Sequence, residues 1–250
     1  MARKGLPAAG LAAALLLSGG ATTPYTHRRQ LMVVSEADED QMGEQAYQDV
    51  LKKSKISRDA EATALVRRVG ARIAKAAEKP EFHWQFTLID EPKTVNAFCL
   101  PGGRVAIYTG ILPITKDENG LAVVMGHEVA HALARHGAER ISDDYFAQKA
   151  LGVLVQGRSE ITQAVVGQAY GIGLALPFGR KQESEADHIG LILMAKAGYD
   201  PRGAVPFWQR MADAKGGGSP PVFLSSHPSD KQRIERIQEQ LPEALAYYKP

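Results

Sequence analysis

The pentapeptide His127-Glu128-Val129-Ala130-His131 sits inside a run, 121–133, whose other members are Leu, Ala, Val, Met and Gly. The apolar content predicts a buried helix from Asp117 to Arg135, with Gly137 just past its end as the stop. Imidazoles and a carboxylate on a buried helix need partners. Residues four apart share a helix face, so His127 and His131 can address one ion. Neutral imidazole is a good zinc ligand, and Glu128, beside the first His, is placed to take a proton from metal-bound water. Alone, such a pattern arises by chance in on the order of one chain in a hundred. A third ligand is therefore the discriminating feature.

A zinc site open to chemistry uses three protein ligands and leaves one position free. Glu183-Ser184-Glu185-Ala186-Asp187 offers the third, on a second predicted helix from Arg180 to Ala197 that Gly198 closes. Glu183 is read as the metal ligand. Asp187, one turn on, is read as the acceptor of a ligating His's second ring proton, which fixes the tautomer. Glu185 points to another part of that helix and is the alternative ligand. The expected complement is one Zn2+ per chain, although two His and a carboxylate also suit other divalent metals.

Around these two helices the pattern predicts an α+β fold, mostly helical with a small β-sheet. Ser35 caps a helix with Glu36, Asp38, Glu39 and Asp40 in its first turns, running to about Lys53. A second runs from Asp59 to about Glu78, with Leu65, Val69 and Ile73 at helical spacing, and Pro80 ends it. Trp84–Ile89 and Arg104–Thr109 read as strands. Further helices are expected from Glu139 to about Val155, from Asp200-Pro201 to about Ala214, and from Ser229-Asp230 onward. The uncharged stretch Ile161–Phe178 contains Gln163, Gln168, several glycines and Pro177, so it reads as a buried or cavity-lining helix rather than a membrane span.

At the N-terminus, Arg3 and Lys4 precede an Ala/Leu stretch, Leu11–Leu17, and small residues follow to Ala21. That is the layout of a secretory signal peptide over 1–21. Residues 22–34 read as a linker, and 35–250 as one catalytic domain. Gly20 stands where a lipoprotein would carry its acylated Cys, so export to the periplasm is expected and outer-membrane association is left open. The formal net charge is +2, and two of those positive charges lie in the signal stretch. No nucleic-acid footprint follows from that balance. Cys99 is the only cysteine; it excludes an internal disulfide and reads as a small apolar residue.

Four stretches, in order, carry a family resemblance: Asn96 to Gly103, Tyr108-Thr109-Gly110, Gly126 to His131 with Arg135-His136, and Glu183 to Gly190. Together they resemble the gluzincin zinc metallopeptidases of family M48, of the HtpX, BepA and LoiP type. The resemblance implies a zincin-like metalloprotease domain, with Glu128 catalytic and His127, His131 and Glu183 on the metal. It implies a metalloendopeptidase acting on unfolded or misassembled envelope proteins. It makes Arg104, Val105, Ala106, Ile107 and Tyr108 the edge strand on which an extended substrate would pair. It also draws attention to His227, in Ser225-Ser226-His227-Pro228. In BepA-type relatives a His in such a context reaches the zinc and holds the enzyme inactive. An oxyanion stabiliser and a helix-capping loop residue are the other readings of His227. His136, His83 and His188 are read as structural. The alternative for the whole chain is a latent protease acting as a periplasmic holdase or assembly factor. Oligomeric state is not legible.

Overall fold

The computed structural model describes residues 20–150, 178–214, 221–227 and 231–249. It begins with an antiparallel hairpin of β1 (Gly20–Thr22) and β2 (Arg29–Leu31). The segment read as a linker is thus folded, and β1 starts inside the stretch read as a signal peptide. The physical reason is that its polar residues bond to buried groups rather than to water. Gln30 Nε2 donates to the Ala134 carbonyl at 2.8 Å, and Thr23 and Gln30 are both buried.

Capping chemistry then sets the helix ends. Ser35 accepts the Asp38 N–H ahead of α1 (Glu36–Lys53), and Asp59 accepts the Ala62 N–H ahead of α2 (Ala60–Ala77). Glu78 ends α2 in a left-handed conformation, two residues before Pro80. The next strands are β3 (Gln85–Ile89), β4 (Ala97–Leu100) and β5 (Arg104–Tyr108).

The sheet order is β3-β5-β4, with β5 parallel to β3 and antiparallel to β4. This corrects one expectation. Arg104, Val105, Ala106, Ile107 and Tyr108 form the central strand, bonded on both sides, and cannot accept a substrate strand. Val105, Ala106 and Ile107 are wholly buried, as a central strand between two layers requires. Val105 and Ile107 face α2 and the main core, while Ala106 faces Tyr47 and Val50 of α1. The outer strand on the other flank is β4, which the sequence reading did not identify.

A single turn, α3 (Leu112–Thr115), leads to α4 (Glu118–Leu133), capped by Asp117. Every residue of α4 from Gly120 to His131 is buried. The helix stops before Gly137: Arg135 takes the left-handed position, held by Glu39 at 2.5 Å and the Val34 carbonyl at 2.9 Å. Gly137 lies instead in α5 (His136–Ala150). The predicted helix at 161–178 falls almost entirely outside the described residues. There follow α6 (Arg180–Lys196), α7 (Ala204–Asp213), α8 (Val222–Ser226) and α9 (Lys231–Tyr247). Among the described residues no helix is long and apolar enough to cross a membrane.

The pairing of α4 with α6 positions the site. The two helices meet backbone to backbone at Gly126 and Gly190. A Cβ on Gly126 would lie 2.8 Å from the Gly190 carbonyl oxygen, and one on Gly190 would lie 2.9 Å from the backbone N of His127. Only glycine permits that approach, and it brings the first turns of α6 alongside the His-bearing turns of α4.

Candidate metal centre

His127 and His131 stand one turn apart on α4, with ring centroids 4.7 Å apart and their Nε2 atoms 3.2 Å apart. From the first turn of α6, Glu183 brings Oε2 to 3.5 Å from His127 Nε2 and Oε1 to 3.4 Å from His131 Nε2. His227, at the end of α8, closes the group. Its Nδ1 lies 2.9 Å from Glu183 Oε1 and 3.2 Å from His127 Nε2. One donor atom from each of these four buried residues lies within 4.8 Å of the other three.

The donor set fits a metal ion. Ligands about 2.0–2.2 Å from a tetrahedral ion are about 3.3–3.6 Å from each other, close to the spacings here. One buried carboxylate oxygen beside them, Glu128 Oε1, has no hydrogen bond, which native structures seldom leave unexplained. An ion held by the four donors, with its solvent, would account for it.

Glu128 faces the same space, 3.3 Å from His227 Nε2 through Oε1. Burial pushes its carboxyl up to about 7; the nearby Glu183 adds to the rise, while His227, Arg233 and the Cys99 backbone amide oppose it. Cys99 belongs to β4, the strand packed against α4. Glu183 is held well below the usual carboxylate range: burial works to raise it, but His227, His127 and His131 outweigh that. Burial pushes His131 well down. Burial also acts to lower His127, yet Asp187 and Glu183 leave it raised.

Asp187 Oδ1 lies 3.0 Å from His127 Nδ1, the ring nitrogen that faces away from the centre. Behind it stands Arg233 of α9, wholly buried, which sequence reasoning missed. Its Nε and Nη2 reach the two Asp187 oxygens at 2.8 and 2.7 Å, and its Nη1 lies 2.9 Å from Glu183 Oε2. Its guanidinium rests on the Trp208 ring at 3.3 Å. A signal existed: residue 233 precedes Ile237 and Ala244 on one helix face, and both are buried. A charged residue in an apolar stripe is a buried partner in waiting.

Glu185 turns from the centre towards His136 and the hairpin. His136 reaches His131, Nδ1 to Nδ1, at 2.9 Å. Phe178 covers the group, its ring 4.0 Å from that of His131 and stacked on His227 at 5.4 Å. The Phe178 N–H donates to the Ser226 carbonyl at 3.0 Å, tying these two covering segments together. His83 and His188 lie on the surface, against Asp40 and Glu243.

Residues 60–241 match the model of Peptidase family M48. The chain is 39% identical over 241 residues to the mitochondrial metalloendopeptidase OMA1 of Schizosaccharomyces pombe, covering 92% of this chain and 71% of that protein. It is 37% identical over 174 residues to OMA1 of Saccharomyces cerevisiae, covering 66% of this chain and 49% of the relative. With the beta-barrel assembly-enhancing protease of Escherichia coli it shares 27% identity over 214 residues, 80% of this chain and 43% of the relative. Similarity thus extends to mitochondrial proteins as well as to the bacterial type. With the matched region running through α4, α6 and the end of α8, which together carry the buried His/His/Glu/His cluster, the chain belongs to peptidase family M48 and is a metallopeptidase, a hydrolase of peptide bonds.

Proposed function

We propose that the chain is a zinc-dependent endopeptidase in which His127, His131 and Glu183 hold one Zn2+ and Glu128 is the general base. The observation that carries this reading is the convergence of three donor residues from α4 and α6 with a hydrogen-bond-free Glu128 oxygen beside them. A zinc ion held there supplies Lewis-acid polarisation of a carbonyl and acidifies bound water. Glu128 takes the proton of the attacking water and later returns it to the leaving amine. Asp187, oriented by Arg233, keeps the His127 proton on Nδ1 and leaves Nε2 for the ion. The outer edge of β4, the strand packed against α4, is the surface on which an extended polypeptide would pair.

The substrates we propose are unfolded or misassembled proteins, in line with backbone pairing that reads no side chain. We place the chain in the periplasm, with outer-membrane association as an addition, on the basic start Arg3-Lys4 and the apolar stretch Leu11–Leu17.

A second reading has its own support. His227 is 2.9 Å from Glu183 and 3.3 Å from Glu128, in the position an incoming carbonyl or water would use. As a fourth ligand it would keep the centre closed, giving a latent protease with a holdase or assembly role. Casein cleavage with measured zinc content separates the two. Glu128→Gln is expected to keep one zinc and lose cleavage by at least a hundredfold. His227→Ala is expected to cleave faster than the native chain. Cleavage by Glu128→Gln at the native rate would sink the base assignment; no cleavage by any zinc-loaded variant would favour the holdase.

A further inference from the structure

His131 has a second ring nitrogen, and it is not left to solvent. His131 Nδ1 lies 2.9 Å from His136 Nδ1, and His136 Nε2 lies 3.0 Å from Glu185 Oε2. With Nε2 turned to the centre, a neutral His131 carries its proton on Nδ1 and donates it to His136 Nδ1. His136 then carries its own proton on Nε2 and donates to Glu185. This assignment gives every contact one donor and one acceptor. All three side chains are buried.

Glu185 is itself held from the far side. Thr23 Oγ1 donates to it at 2.8 Å, Arg28 Nε at 2.7 Å, and Thr26 Oγ1 also donates to Oε1. Arg28 Nη2 extends to Glu139 of α5 at 2.8 Å. These three far-side donors lie between β1 and β2, at the closed end of the hairpin. The two metal-facing imidazoles therefore differ. His127 meets its carboxylate directly, on α6. His131 meets its carboxylate through an added imidazole, and that carboxylate is anchored to the hairpin.

Building on the metal-site reading above, we propose that the hairpin 20–31 is a positioning element for the metal ligand His131, acting through Glu185 and His136. Docked, Thr23, Thr26 and Arg28 fix the Glu185 carboxylate, which fixes the His136 tautomer and with it the His131 ring. Undocked, Glu185 loses three donors, the His131 ring is free to turn, and metal is held less tightly although no ligand has changed. Metal retention thus depends on a segment that supplies no ligand.

The test is zinc release from the full chain to a chromophoric chelator, paired with the visible absorption of the Co2+-substituted protein. The variants are Glu185→Gln, Thr23→Val combined with Thr26→Val, and Tyr47→Phe as control. Tyr47 bonds Thr87 on the face of the sheet away from the main core and takes no part in the hairpin or the relay. Loss of an outer partner of a ligating His weakens metal binding by about 10–100-fold. That loss is expected for Glu185→Gln and the double Thr variant, with a changed Co2+ spectrum. Tyr47→Phe is expected to lower Tm and leave zinc retention within twofold. The double Thr variant keeps every charged pair, so it answers the question if Glu185→Gln fails to fold. Native retention in folded Glu185→Gln and double Thr proteins overturns the proposal, as does an equal loss in Tyr47→Phe. A native chain that binds no zinc would instead remove the metal-site reading on which the proposal rests.

Discussion

At the scale of single residues, the site is a set of buried polar groups that satisfy one another, and the costs of burial decide which substitutions matter. Arg233 is the sharpest case. It neutralises Asp187 with a two-point contact and stands beside Glu183 while stacked on Trp208. Removing one partner of a buried ion pair costs about 3–5 kcal/mol, because the other charge is left without compensation. Arg233→Met is expected to lose that much by urea unfolding of the zinc-free protein, and less with zinc bound, since the ion compensates Glu183. Equal losses with and without zinc would argue that Arg233 serves packing on Trp208 alone. Arg233→Lys is expected to recover little, because an ammonium cannot match the fork. His127, Glu128, His131 and Glu183 were legible because spacing on one helix and a second acidic cluster are local signals. Arg233 and the His136–Glu185 link were not, since each depends on which helix packs where.

At the scale of elements, the geometry of the centre is set by how closely α4 and α6 approach. Gly126 and Gly190 face each other at a distance that no Cβ can share. Gly190→Ala must push the helices apart, and overpacking of this kind costs about 1–3 kcal/mol. It also moves Glu183, seven residues upstream on the same rigid helix, away from His127 and His131. The expected result is lower Tm and weaker zinc binding together. Gly179→Ala is the contrast: among the described residues its Cβ would meet nothing nearer than Gln182 Oε1 at 4.0 Å, so zinc affinity should stay at the native level. If Gly190→Ala binds zinc as tightly as the native chain, the crossing does not set the site. The helices themselves were readable from caps such as Ser35, Asp59 and Asp117, each of which accepts the N–H three residues on. The sheet was less so. The sequence shows that Arg104–Tyr108 is a strand, but not that β3 and β4 flank it, because strand order is a non-local property. The four residues of β4 are too few to show a period.

At the scale of the whole molecule, the N-terminal hairpin ties the chain's beginning to its middle. It read as a linker because Thr, Arg and Gln suggest solvent; nothing local reveals that Glu139 and Glu185, more than a hundred residues later, take up those donors. That docking has a pH signature. Burial acts to raise Glu139, but Arg28, Gln182 and Gln30 hold it below the ordinary Glu value. A carboxylate whose pKa is lowered on folding adds stability at pH values above its unfolded pKa, about 4.3. That contribution is lost as pH falls through the folded value, because the native state must then take up a proton it binds weakly. A hydrogen bond to a charged group contributes about 1.5–3 kcal/mol. Glu139→Gln is therefore expected to be less stable than the native chain by roughly that amount at pH 7. The gap should still be present at pH 5 and should close as the buffer is taken below about pH 4. Urea midpoints at pH 7, 5 and 3.5 measure it. A gap that stays constant would mean that Glu139 acts through its shape and neutral hydrogen bonds, and that the hairpin is held by Glu185 and Ala134 without help from this charge.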